Sequence, residues 1–169
     1  DVDGLTNVPA VYAAGECACV SVHGGNRLGA NSLLDTIIFG QRSGDHAANA
    51  CRELEFVEFN VDEAVKREQK RIQAMLDRPQ NGDRIASVRL AMGQTMNKNL
   101  AVYRDEAGME ETLHDLLGLR ERYATVPVDS KGRVFNTDLV FALELGFMLD
   151  CAETIAVSAQ DRKDSRGAQ

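Results

Sequence analysis

The sequence predicts a mainly α protein: a helical bundle of three to four amphipathic helices, preceded by a strand–Gly-loop–helix segment. Three observations carry this. Beyond residue 60, apolar residues recur at helical spacing in separate runs. Short polar breaks such as "QNGD" divide those runs, which favours antiparallel neighbours. Ahead of them, "VPAVYAAG" gives way to the glycine-rich "HGGNRLGA", and a new apolar periodicity starts at Asn31.

In chain order, residues 8–15 predict a short buried strand ending at Gly15. "ECACVSVHGGNRLGA" predicts a loop. From Asn31, the residues Leu33, Leu34, Ile37, Ile38, Gly40, Gly44, Ala47 and Ala48 fall on one helical face. Asn31 or Ser32 is the expected N-cap. Gly40 and Gly44 lower helix propensity, which points to close packing against another element. "CRELEFVEF" is an ambiguous connector. Asn60 followed by Glu63 resembles a capping box, and Val61, Val65, Ile72 and Leu76 stripe the helix that ends before Pro79. Ile85, Val88, Met92, Met96, Leu100 and Tyr103 stripe the next helix. Met109, Leu113, Leu116, Leu117 and Tyr123 stripe another. "VPVDSKGRVFN" breaks the pattern. Leu139, Leu143, Gly146, Leu149, Ile155 and Ala159 then mark a last helix from about Thr137 to Asp161. "DRKDSRG" reads as its end.

Composition narrows the function classes. The chain of 169 residues is 44% hydrophobic, enough to bury a core. Its net charge of −7 argues against nucleic acid as a partner, because phosphate binding needs a basic surface. No apolar run has membrane-spanning length, so no direct membrane insertion is expected, and no signal-peptide pattern opens the chain. The cysteines form one C-x-C, at Cys17 and Cys19, plus the single Cys51 and Cys151. With the histidines scattered at 23, 46 and 114, neither a zinc site nor a disulfide framework is expected. Reduced thiols and a cytosolic or matrix-like compartment follow. "DVDGLTNVPAVYAAGE" at the start has no initiator Met, and "DRKDSRGAQ" at the end brings no closing element. A piece of a longer protein is expected.

The chemistry concentrates in residues 15–35. A helix N-terminus offers unpaired N–H groups and a partial positive charge, and a glycine-rich approach lets an anion or a carbonyl edge come close. Between Cys17 and Leu34 the only permanent charge is Arg27. Its guanidinium fork matches a carboxylate. The plainer alternative is a loop arginine paired with a remote Asp or Glu. His23 polarises a ligand or scaffolds its loop by hydrogen bonding. Glu16 accepts from a ligand hydroxyl or caps the next turn. Cys17 and Cys19 read as buried small hydrophobes rather than redox groups. There is no G-x-G-x-x-G and no Walker A sequence, so a dinucleotide cofactor lacks its usual phosphate cradle here. No nucleophile–base arrangement stands out.

"VYAAGECACVSVHGGNRLGANSLLDTIIFG" strongly resembles the flavoprotein subunits of the succinate dehydrogenase/fumarate reductase family. "MGQTMNKNLAVYRDEAGMEE" and "ELGFMLDCAETIAVSAQDRKDSRGAQ" extend the resemblance over essentially the whole chain. It implies that residues 1–50 are the C-terminal segment of an FAD-binding α/β domain and that residues 56–169 are the helical C-terminal domain, truncated at its end. Other parts of such a flavoprotein, with the glycine fingerprint and the proton-donating arginine, lie outside this sequence.

Residue by residue, the resemblance implies that Glu16 holds the ribose side of FAD and that the backbone of Ser32 and Leu33 meets the flavin ring. Arg27 would clamp a substrate carboxylate, and Ala30 would touch substrate through its backbone. On this view Arg27 stands alone because the dicarboxylate is its counter-charge. No catalytic residue and no metal ligand is assigned. The implied activity is oxidation of succinate to fumarate by hydride transfer to FAD, with electrons passed to an iron–sulfur subunit, as in the tricarboxylic acid cycle and electron transport. The implied location is peripheral, on the cytoplasmic side of the inner membrane of a bacterial or archaeal cell. The isolated chain is expected to be inactive and to carry no FAD. The alternatives are a fumarate reductase, an L-aspartate oxidase, or a non-catalytic helical interaction module. Gly25 stands where family members often have Ala, and Gln169 where many have His.

Overall fold

The structure, a computed structural model, describes residues 1–23 and 27–163. Gly25, Gln169 and the closing "SRGA" lie outside the described residues. Among the described residues the elements are a 3-10 turn at Gly15–Cys17 and five helices: α1 (Asn31–Glu53), α2 (Val61–Leu76), α3 (Ile85–Asn99), α4 (Glu106–Thr125) and α5 (Thr137–Asp161). The fold is mainly α, as the periodicity predicts. The chain divides into two compact units, one running Asp1–Phe59 and the other beginning at Asn60.

In the second unit, side-chain caps start three of the four helices. Asn60 Oδ1 accepts from Glu63 N at 3.0 Å, Asp105 Oδ1 from Gly108 N at 2.8 Å, and Asn136 Oδ1 from Leu139 N at 2.9 Å. Each cap satisfies an N–H that the helix leaves unpaired, worth about 1 kcal/mol. α3, α4 and α5 pack on one another. Their shared core includes Val88, Met92, Leu116, Leu119, Leu145, Leu149 and Ala156. Each such aliphatic side chain larger than Ala contributes about 2 kcal/mol on full burial. The α4–α5 approach is close at Gly146: a Cβ there would lie 2.6 Å from Tyr123 Oη. Between α3 and α4, buried polar groups satisfy one another. Thr95 Oγ1 donates to Asp115 Oδ2 at 2.8 Å, and Asn99 Nδ2 donates to Thr112 Oγ1 at 3.1 Å. At the rim, Lys98 Nζ bonds both Glu111 carboxylate oxygens at 2.8 Å. That bond holds the Glu111 carboxyl below the usual range and lifts the Lys98 ammonium above its own.

Several expected faces shift. In α2 the anchor is Met75, buried with Val128 and Ala142, while Val61 and Val65 are exposed. Only the last turns of α2 reach the core, so its earlier turns remain solvated. α3 ends at Asn99, where Leu100 N bonds Met96 O, and Tyr103 lies beyond it in solvent. In α4 Leu116 is buried as the stripe predicts, but Leu119 rather than Leu117 accompanies it, and in α5 Ile155 is exposed.

The first unit departs further. Residues 8–15 form no strand. Leu5 and Tyr12 make an isolated antiparallel bridge, and Val8 and Val11 are exposed. A strand needs a ladder of partners, and among the described residues only this short return of the chain supplies one. Arg42 ties that return to α1 by donating to Val2 O at 3.0 Å and to Asp3 Oδ1 at 2.7 Å. α1 is capped by neither Asn31 nor Ser32. Its N-cap is Ala30, in the left-handed region at φ 67° with no side-chain cap. Leu33, Leu34, Ile37 and Ile38 are exposed, and the helix buries Asp35 and Ser43 instead. No described atom approaches Gly40 or Gly44 closely enough to require glycine. Cys17 and Cys19 are exposed rather than buried, because their turn faces outward. No helix among the described residues is long and apolar enough to cross a membrane.

Candidate functional site

The 3-10 turn and the start of α1 build one locus. Gly15 is buried at φ +81°, a conformation open to glycine, and a Cβ there would press within 3.1 Å of Thr36 Oγ1 on α1. This close approach aims the carbonyls of the turn at Arg27. Arg27 Nη2 donates to Gly15 O at 3.2 Å and to Ala18 O at 2.9 Å, and Nη1 donates to Glu16 O at 3.4 Å. Beneath the guanidinium lies Asp35, whose side chain is 2% exposed, with Oδ2 2.9 Å from Arg27 Nη2. His23 Nε2 stands 3.4 Å from the same oxygen. The Arg27–Asp35 approach is short, yet neither Asp35 oxygen has a directed hydrogen-bond partner among the described residues. The reason is geometric. A terminal guanidinium nitrogen carries two hydrogens, and both of those on Nη2 serve carbonyls.

This corrects the expectation that Arg27 lacks a protein counter-charge. The carboxylate is Asp35, just past the uncharged stretch. His23 faces Asp35, and its Nε2 makes no hydrogen bond among the described residues. Glu16 contributes its backbone carbonyl to the Arg27 cradle, while its side chain is exposed. Ala30 sits at the helix entry. Ser32 is half-buried in the first turn, and the Leu33 side chain projects into solvent. Arg27, Glu16, Ala30, Ser32 and Leu33 therefore all belong to the junction of turn and helix. Asp35 is the residue the sequence reading missed. Its signal was available: a lone acid inside "SLLDTIIF", too costly to bury without a cation.

The comparisons with known proteins identify the family. A family model described as the C-terminal part of the fumarate reductase flavoprotein matches residues 89–169, and an FAD-binding domain model matches residues 1–33. A fumarate reductase flavoprotein subunit of Haemophilus influenzae is 37% identical over 99% of this chain and 28% of its own length. A succinate dehydrogenase flavoprotein subunit of Coxiella burnetii is 39% identical over 95% of this chain and 27% of its own. The structure of an Escherichia coli quinol fumarate reductase superposes with a TM-score of 0.85 at 34% identity, over 98% of this chain and 28% of that one. The chain belongs to the succinate dehydrogenase/fumarate reductase flavoprotein family. It spans a little over a quarter of the length of the curated relatives it matches.

FAD is the cofactor this family implies, and the residues present fit part of it. The N-terminal N–H groups of α1 carry no side-chain cap and begin at an exposed Ala30. Asn31 N and Leu33 N donate to Leu28 O and Ala30 O, so the first-turn donor that suits an electron-rich carbonyl edge is that of Ser32. Glu16 is solvent-facing on the neighbouring turn and free to accept from a hydroxyl.

Proposed function

We propose that this chain is the substrate-facing end of the FAD-binding part, together with the helical domain, of a flavoprotein that oxidises succinate to fumarate. The observation that carries the reading is the guanidinium of Arg27, cradled by backbone carbonyls beside an uncapped helix start. Arg27 binds one substrate carboxylate and fixes the orientation of the carbon chain. Its positive charge offsets the carboxylate's through the reaction. The Ala30 backbone contacts substrate, Glu16 holds the ribose side of the cofactor, and the Ser32 and Leu33 backbone faces the flavin ring. FAD, when bound, supplies the two-electron acceptor. The parent flavoprotein passes electrons to an iron–sulfur subunit and sits peripherally on the cytoplasmic side of the inner membrane. The isolated chain is inactive and carries no FAD, since the remaining cofactor and substrate contacts belong to other parts of the parent.

Fumarate reduction is the second reading, favoured by the name of the Haemophilus relative. Comparing the rates of succinate oxidation and fumarate reduction in the parent separates the two. For either direction, Arg27→Ala in the full flavoprotein is expected to lower kcat/KM by several orders of magnitude with flavin content unchanged. Activity within a few-fold of the unmodified enzyme would remove Arg27 from the site and favour a non-catalytic role for this segment.

A further inference from the structure

The Arg27 cradle assigns geometry and charge to different groups. Three backbone carbonyls, those of Gly15, Glu16 and Ala18, receive the directed hydrogen bonds of the guanidinium. Among the described residues they fix its plane without a directed bond to any side chain. Asp35 adds something else. Its Oδ2 lies 2.9 Å from Nη2, its side chain is 2% exposed, and neither oxygen receives a directed bond among the described residues. His23 Nε2 lies 3.4 Å from the same oxygen. A carboxylate placed this way neutralises Arg27 but does not aim it. Buried from water, its field is only weakly screened.

We propose that Asp35 is a built-in competitor of the substrate: its buried carboxylate, lying against Arg27 without directing it, weakens the affinity of the site for dicarboxylates. This rests on the reading of Arg27 as the carboxylate clamp. A dicarboxylate reaching Arg27 meets a cation already compensated, and repulsion from Asp35 offsets part of the attraction. The consequence suits a reaction whose substrate and product are both dicarboxylates of the same charge. A fully uncompensated arginine would bind both too tightly for rapid release, whereas a compensated one holds its ligand more loosely.

The test is calorimetric titration of the full-length, FAD-loaded flavoprotein with malonate, a dicarboxylate with no C–C bond to dehydrogenate. Asp35→Asn removes the charge and keeps the shape. It is expected to tighten malonate binding about tenfold, while Asp35→Glu stays within about twofold of the unmodified protein. Unchanged or weaker binding in Asp35→Asn overturns the proposal, because a positioning role predicts weakening. Equal tightening in Asp35→Glu also overturns it, since packing rather than charge would then be the cause. If Asp35→Asn loses its flavin or its fold, Asp35→Ser replaces it. Failure of both neutral variants beside a folded Asp35→Glu makes Asp35 a structural counter-ion and overturns the proposal. Arg27→Ala is titrated in parallel. Loss of binding there supports the clamp independently of Asp35, whereas undiminished binding overturns the clamp and the proposal with it.

Discussion

Gly146 and Tyr123 show how a single atom governs a helix contact. α5 would gain helix propensity from alanine at position 146. Against that, the added Cβ would fall 2.6 Å from Tyr123 Oη and 3.0 Å from the ring carbon that bears it. Tyr123 is half-buried and lies under the Arg78 guanidinium, 5.4 Å from its ring centroid, so moving the ring aside gives up that contact. Gly146→Ala is expected to destabilise the fold by about 1–2 kcal/mol. In a Tyr123→Ala background the same change should cost nothing, because only the propensity gain remains. Urea unfolding followed by circular dichroism measures both, and equal costs in the two backgrounds would refute the contact. At this scale the sequence was legible in part. Arg27 stood out because it was alone among uncharged residues. Asp35 did not, because the apolar run around it pointed to an inward face, and a stripe says nothing about which side of it meets protein.

The helices themselves were easier to read. α5 runs Thr137–Asp161, the range its apolar spacing predicts, and Asn60 caps α2 through Glu63 N as the local pattern implies. Caps and periodicity are local physics, settled within a turn or two of chain. Which face becomes buried is not local. Val61 and Val65 of α2 and the Leu33–Ile38 face of α1 are apolar at helical spacing yet exposed. The strand expected at residues 8–15 failed for the same reason, since a strand exists only with neighbours. Uneven local stability follows. α3, α4 and α5 share a continuous core, whereas α1 buries only Asp35 and Ser43. Amide exchange of the isolated chain should therefore be faster throughout residues 1–59 than in α3–α5. Uniform protection along the chain would contradict this.

Taken whole, the chain is a little over a quarter of the length of its curated relatives and leaves a large apolar surface facing water. On α1 that surface includes Leu33, Leu34, Ile37 and Ile38, with Leu33 72% exposed, and Leu28 just ahead of the helix is exposed too. Contiguous patches of this kind drive association when nothing covers them. Sedimentation of the isolated chain should show oligomers growing with concentration. A Leu34→Glu, Ile37→Glu double variant should shift the population towards monomer. A monomer at every concentration would show that the patch is too dispersed to act.

The Arg27 cradle has a consequence for how this segment tolerates variation. Its acceptors are main-chain oxygens, present whatever side chain occupies positions 16 and 18. Drift at Ala18 leaves the guanidinium where it is. A change at Glu16 silences only the cofactor contact assigned to its carboxylate. Gly15 is constrained by its backbone angle and by Thr36, not by chemistry. Sequence identity matters to the cradle chiefly at Gly15, Arg27 and Asp35, so on the proposed reading of the site its cofactor-facing and substrate-facing halves can be altered one at a time.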